Sequence, residues 1–153
     1  MKRSTTRLLF MKLAHWLMLP LLMAVTLNIY ADSQVEKRSI SIDLVLDQSL
    51  RQYADKPWVV YVFAKPLDSK VPVASKKLTL NQVPMRVLLE EKNFLLENLT
   101  LASVDKVTVA AKVTRHGSPH KTVVGDLLAK SLPIDFTEGA NQTIRLVIDK
   151  EVD

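Results

Sequence analysis

Two histidines in one loop come closest, by type and spacing, to a metal site. His116 and His120 lie four residues apart, between Arg115 and Lys121. A zinc or copper site normally needs three or four ligands. The chain has no cysteine, and four of its five methionines fall within the first 23 residues. Two solvated loop histidines are therefore the favoured interpretation, and a copper- or metal-handling protein that uses His116 and His120 is the alternative.

The sequence shows no arrangement of residues that would indicate catalysis. Glu90 and Glu91 are adjacent, and adjacent residues of a strand point to opposite faces, so they do not form a working carboxylate pair. Three scattered glycines exclude a glycine-rich phosphate loop, and no strand–turn–helix surrounds a nucleophilic serine. We therefore expect no catalytic residues and no cofactor, and we expect the protein not to be an enzyme.

The net charge of +5 resides mostly in the first residues of the chain. Four of the 21 basic residues and none of the 16 acidic ones lie within residues 1–31, so the remainder carries a net charge of +1. A basic surface that follows a phosphate backbone is not implied, and nucleic acid is not an expected partner.

Residues 1–31 have the pattern of an export signal. A cationic stretch precedes the apolar run of residues 17–27, and Ala31 offers a cleavage point. In the alternative, residues 13–31 stay as an inner-membrane anchor, since they approach the roughly 20 residues needed to span a bilayer. A polar tether of residues 32–39 follows. We expect a periplasmic protein that contacts the membrane only if this segment is uncleaved.

Residues 40–153 read as one all-β domain. Alternating apolar residues predict strands at residues 40–47, 58–64, 73–80, 85–90, 106–114, 121–124 and 144–148. Asp47 should cap a single helical turn. The stretch from Trp58 to Ala64 is apolar on both faces, which predicts a central strand covered on both sides, with Trp58 buried. Residues 125–133 read as a connection. The pattern predicts an antiparallel β-sandwich of about seven or eight strands.

Two surfaces are candidates for contact with a protein partner. The first is the loop and strand of residues 65–77, where prolines prevent ordinary pairing beside Lys65, Lys70, Lys76 and Lys77. The second is the apolar stretch that holds Phe94, Leu95, Leu96 and Leu99. The alternatives are that these lysines protect a sheet edge and that the leucines close the end of the sandwich. A pilus-type subunit would need an unpaired strand, which the complete strand count disfavours.

The order of these blocks resembles the C-terminal periplasmic, immunoglobulin-like domain of the c-type cytochrome biogenesis protein CcmI (CycH). The similar blocks are "ISIDLVLDQSL", "VVYVFAKPLDSKVPVASKKLTLNQVPMRVLLEE", "LASVDKVTVAAKVTRHGSPHKTVVGDLLAKSLP" and "IRLVIDKEV", which cover residues 40–152. The resemblance implies an immunoglobulin-like sandwich. It also implies a non-enzymatic role in c-type cytochrome maturation, with maturation components or apocytochrome c as partners.

The chain departs from the pattern of that family in three places. Residues 69–72 read Ser-Lys-Val-Pro where the family usually has Gly-x-Pro, and "KNFLLENLTL" replaces a methionine-rich segment. Family members also carry transmembrane helices and tetratricopeptide repeats, to which peptide binding is chiefly ascribed. We therefore expect a stand-alone exported domain without the repeats, whose own binding surface must be found on the sandwich.

Overall fold

The computed structural model describes residues 37–153, which form eight strands in two sheets. The predicted signal or anchor and most of the tether lie outside the described residues. The strands are β1 (Ser39–Leu46), β2 (Val59–Pro66), β3 (Ala74–Thr79), β4 (Met85–Glu90), β5 (Lys106–Thr114), β6 (Leu127–Asp135), β7 (Asn141–Ile148) and β8 (Lys150–Glu151). Short 3-10 helices span Gln48–Tyr53, Leu80–Gln82, Glu91–Asn93, Leu101–Ser103 and Phe136–Glu138. Within this part of the chain, no helix has the length and apolar character to cross a membrane.

The two sheets pack face to face as a sandwich. One sheet has the order β4-β1-β7, and the other has the order β3-β2-β5-β6-β8. β1 runs parallel to β7 from Ser39 opposite Asn141 to Leu46 opposite Ile148, and the other pairings of these strands are antiparallel. The predicted β-sandwich of seven or eight strands is confirmed.

The core lies between the sheets and follows the period-two pattern of the sequence. Ile40, Ile42 and Leu44 of β1 are fully buried against the even-numbered residues of β2 and the odd-numbered residues of β5. Successive side chains of a strand point to opposite faces, so one alternate set enters the core and the other faces outward. This simple alternation is the reason that the sequence reveals most of the strands.

One strand lies later in the chain than the sequence suggested. Residues 121–124 do not form a strand, and the stretch read as a connection is β6, which pairs with β5 from Val113 opposite Leu127. Pro133 argues against a strand here, since proline removes a ladder hydrogen bond. It is tolerated because, within the described residues, β8 pairs with β6 only at Leu127 and Leu128, which leaves the Pro133 end of β6 at an edge.

The predicted turn after β1 is confirmed, and it positions an aromatic cluster. The backbone N–H of Ser49 donates to the Asp47 carboxylate at 2.9 Å and starts the 3-10 helix. Tyr53 at the end of this helix lies 5.0 Å from the ring of Trp58, centroid to centroid. Trp58 comes one residue before β2 and is half-buried rather than fully covered, because it packs at the end of the core instead of under the facing sheet.

Candidate protein-binding surface

The outer face of the five-stranded sheet carries the outward side chains of β2, β5 and β6. Val60, Val62 and Ala64 of β2 enter the core, so Tyr61, Phe63 and Lys65 point away from it. The register of the paired strands aligns these outward side chains in rows that run across the sheet. One row is Lys77, Tyr61, Lys112, Leu128 and Lys150, and the next is Ser75, Phe63, Ala110 and Lys130.

A segment between β5 and β6, residues 115–124 (the strap), covers the middle of the first row, at Tyr61 and Lys112. The Tyr61 hydroxyl donates to the carbonyl of Gly117 at 2.6 Å, and the Lys112 ammonium donates to the carbonyl of Lys121. The backbone N–H of Val123 donates to the Asp126 carboxylate at 2.9 Å. The strap therefore explains why β2 carries a large aromatic residue on its outer face at Tyr61, since this loop covers that position.

Under the strap, Lys112 and Asp126 form a buried ion pair. Their charged atoms lie 3.4 Å apart, and the two side chains are 5% and 1% exposed. Alternation along β5 points Lys112 outward, but nothing in the sequence pattern indicates that a loop would cover it. Buried charges are tolerated when they are paired and hydrogen-bonded, so this pair holds the strap in place.

Beside the strap lies a groove of about 470 Å³, which we call the loop groove. Tyr61 and Phe63 contribute aromatic rings, and the structure brings the predicted residues Lys65, Lys70 and Leu95 together around them. The described residues that line it are Tyr61, Phe63, Lys65, Lys70, Pro72, Ser75, Leu95, Pro119 and His120, and none of these is acidic. The loop groove thus has an aromatic floor and a cationic rim.

The other two predicted lysines lie on β3, the edge strand next to this groove. Lys76 and Lys77 are both exposed. The Lys77 ammonium lies 5.9 Å from the centroid of the Tyr61 ring, so its charge extends the rim on the outer face. Among the described residues, β3 is hydrogen-bonded into the sheet on one side, by β2. Its second side is an edge that an extended segment could join.

The apolar stretch after β4 divides into exposed and packed residues. Phe94, Leu95 and Leu96 are 43%, 51% and 49% exposed. Leu99 forms a β-bridge with Leu96 and packs against the core, and Leu101 is fully buried. Leu99 and Leu101 therefore close the sandwich, and the three residues before them add apolar area next to the loop groove through Leu95.

The two histidines are both exposed on the strap. The backbone of His116 donates to the Thr114 hydroxyl at 3.2 Å, and His120 lines the loop groove. Between residues 37 and 153, no group of three or more His, Cys, Asp or Glu side chains is placed to hold a metal ion. The imidazole of His120 is thus a polar neighbour of the groove.

Two carboxylates in ion pairs that join strands away from the groove have lowered pKa values. The Thr137 hydroxyl and the Lys106 ammonium, 2.6 and 2.9 Å from the Asp135 carboxylate, lower its pKa from 3.8 to about 2. The Arg86 guanidinium, at 2.7 Å, lowers the pKa of Asp43 across the β1–β4 pair. These pairs link β5 to β6 and β1 to β4, and among the described residues neither of them involves a lysine of the groove rim.

Sequence reasoning missed the floor of the groove, although a signal was present. Tyr61, Phe63, Ser75 and Pro119 were not among the predicted site residues. The large outward side chains of Tyr61 and Phe63 on a strand that is apolar on both faces were the available sign, because such residues need a cover. Pro119 belongs to the strap, whose position depends on contacts distant in sequence.

A comparison with protein families gives one match. A family model described as "Cytochrome c-type biogenesis protein H Ig-like domain" matches residues 40–149. No curated protein matches the chain, and no solved structure matches it. The matched range runs from the first buried residue of β1 to the residue after β7, and so contains nearly all of strands β1 to β7 and the strap, while β8 follows it.

Proposed function

The chain belongs to the family of the cytochrome c-type biogenesis protein H Ig-like domain, and on this premise we propose that it is a periplasmic protein-binding module of c-type cytochrome maturation. It acts without catalysis, by holding a maturation component or apocytochrome c on the outer face of its five-stranded sheet. The leader of residues 1–31, removed or kept as an anchor, would deliver it to the periplasmic side of the inner membrane.

The observation that carries this proposal is the loop groove. Lys65 and Lys70 stand beside Tyr61, Phe63 and Leu95, and Lys77 extends the cationic rim on the outer face of β3, while Lys76 lies on the opposite face of the same edge strand. An apolar centre surrounded by polar, solvent-accessible groups is the usual anatomy of a protein interface. Aromatic anchors give such an interface its affinity, and rim charges give it orientation and speed of encounter.

The copper-handling alternative has less support. It depends on His116 and His120, which are exposed and which have no third ligand among the described residues. The groove that contains His120 also holds Lys65 and Lys70, which repel a cation. The protein-binding function is therefore the one that we carry forward.

The test is co-purification of identified maturation components or apocytochrome c with the full chain. Lys70, Lys76 and Lys77, changed together to Glu, should weaken this co-purification, and raised salt should weaken it for the unchanged protein. Stability should shift by only about 0.5 kcal/mol, as is usual for surface changes. Arg51, Lys56 and Arg145 are also exposed and do not line the loop groove, so their change to Glu is a control of equal charge.

The control variant should keep its partners. Recovery of the same partners by both variants in equal amount would show that the lysines only protect the β3 edge. Failure to recover any maturation component or apocytochrome c with the unchanged protein would refute the proposed function itself.

A further inference from the structure

A second groove lies on the other side of the strap tip. It has a volume of about 440 Å³ and runs over β5, β6 and β8. Ala110, with its small side chain, leaves space between Phe63 and Leu128, and the exposed Lys130 and Lys150 stand at the far end. The complete lining is Phe63, Ala110, Ala111, Lys112, Pro119, Thr122, Leu128, Ala129, Lys130, Asp149 and Lys150. We call it the far groove.

The far groove adjoins the loop groove, because Phe63 and Pro119 line both. Together they follow the row Ser75, Phe63, Ala110 and Lys130, which the strap leaves open, and reach Lys150 on β8. Five strands at a spacing of about 4.8 Å make this path about 19 Å long. An extended chain advances about 3.3 Å per residue, so about six residues would cover it.

The distribution of charge along the two joined grooves indicates which kind of peptide segment would bind there. Lys65 and Lys70 stand at one end, and Lys130 and Lys150 at the other. Of the described residues that line the two grooves, Asp149 is the one acidic residue, and the ammonium of Lys112 is already paired with Asp126. The middle of the path is the ring of Phe63 and the small Ala110. The complement is a segment with acidic ends and an apolar centre.

We propose that the outer face binds an extended segment of about six residues, acidic at both ends and apolar in the middle, along the joined grooves. An apolar side chain of the segment sits over Ala110, between Phe63 and Leu128, and its acidic residues meet the two lysine pairs. This inference rests on the proposed function and specifies the chemistry of the partner at the same surface.

Fluorescence anisotropy with the purified full chain and labelled peptides tests the proposal. The peptide EELFEE should bind, whereas KKLFKK and the apolar-free EESGEE should bind at least about tenfold more weakly. Changing Lys130 and Lys150 to Glu should weaken EELFEE about tenfold, and so should changing Lys65 and Lys70 to Glu, since each pair contacts one end. Changing Arg51 and Lys56 to Glu is the matched control and should have little effect.

A steric variant separates seating in the groove from simple attraction of charge. Ala110→Leu should fill the space over β5 and weaken EELFEE to the same extent at low and high salt, while EESGEE is unaffected. Equal binding of EELFEE and EESGEE, or full retention of EELFEE by the Lys130 and Lys150 variant, would overturn the proposal. Because this assay uses no maturation component, its failure would leave the co-purification test of the proposed function intact.

Discussion

The ammonium of Lys112 lies 3.4 Å from the carboxylate of Asp126, and both side chains are almost completely buried beneath the strap. Lys112 lies near the end of β5, and Asp126 lies directly before β6. The same carboxylate accepts the backbone N–H of Val123, and the ammonium donates to the carbonyl of Lys121. The pair therefore joins the sheet to the loop that bounds both grooves.

Removal of one charge of this pair should be costly. Lys112→Met should lower the free energy of unfolding by about 3–5 kcal/mol, because the Asp126 carboxylate would stay buried without its partner. The double variant Lys112→Met with Asp126→Asn should lose less than the sum of the two single variants. Denaturant unfolding measures all three. Additive losses would mean that the two charges do not interact.

Trp58→Ala should cost about 2–3 kcal/mol, below the about 3–5 kcal/mol of a fully buried tryptophan. Trp58 is half-buried, and the guanidinium of Arg115 lies 4.4 Å from the centroid of its ring, a contact that contributes about 0.5–1 kcal/mol at exposed sites. Trp58→Phe keeps a ring and should lose less. A loss below about 1 kcal/mol for Trp58→Ala would contradict this packing.

Most strands could be predicted from the sequence, because alternation is a local property. The alternation of Ile40, Ile42 and Leu44 predicts β1 without any information about the other strands. The strap could not be predicted in this way, since its position depends on Tyr61, which is 56 residues from Gly117 in sequence, and on the pairing of Lys112 with Asp126 on its two sides. Lys112 illustrates the difference. The alternation of β5 predicts that its side chain points outward, but its burial depends on the strap and could not be predicted.

Several residues of the candidate site could be predicted from the sequence, but not that they form one groove. Lys65, Lys70 and Leu95 were chosen as members of two separate surfaces, and the structure brings them into one groove. Sequence spacing alone does not show that the stretch after β4 returns to the outer face of β2. Leu99 was chosen with its neighbours for apolar density, and it packs against the core because a stretch of leucines does not reveal which of them faces solvent.

Protonation of Asp135 should make the domain less stable as the pH falls from about 4 to about 2. Its pKa is lowered from 3.8 to about 2 in the folded state by Thr137 and Lys106, so folding favours its ionised form. Its contribution is fully present above about pH 4 and disappears as pH falls toward about 2. Asp135→Asn should reduce the dependence of thermal unfolding on pH in that range. An unchanged pH dependence in the variant would contradict this assignment.

Metal should not bind stoichiometrically to the strap. Calorimetric titration of the purified protein with copper or zinc should show no tight one-to-one binding, because His116 and His120 provide at most two exposed ligands there. The double variant His116→Ala with His120→Ala should melt at the same temperature as the unchanged protein. Tight binding that the double variant loses would restore the metal-handling function.

The most direct measurement places a photo-crosslinking amino acid on the outer face of the sheet in the full chain. Position 75, occupied by Ser75 in the loop groove, is compared with position 52, occupied by the exposed Gln52 away from it. Crosslinking in cells that mature c-type cytochromes should join position 75, but not position 52, to an identified maturation component or to apocytochrome c. Equal crosslinking from both positions, or capture of neither kind of partner from position 75, would contradict a protein-binding function of this face.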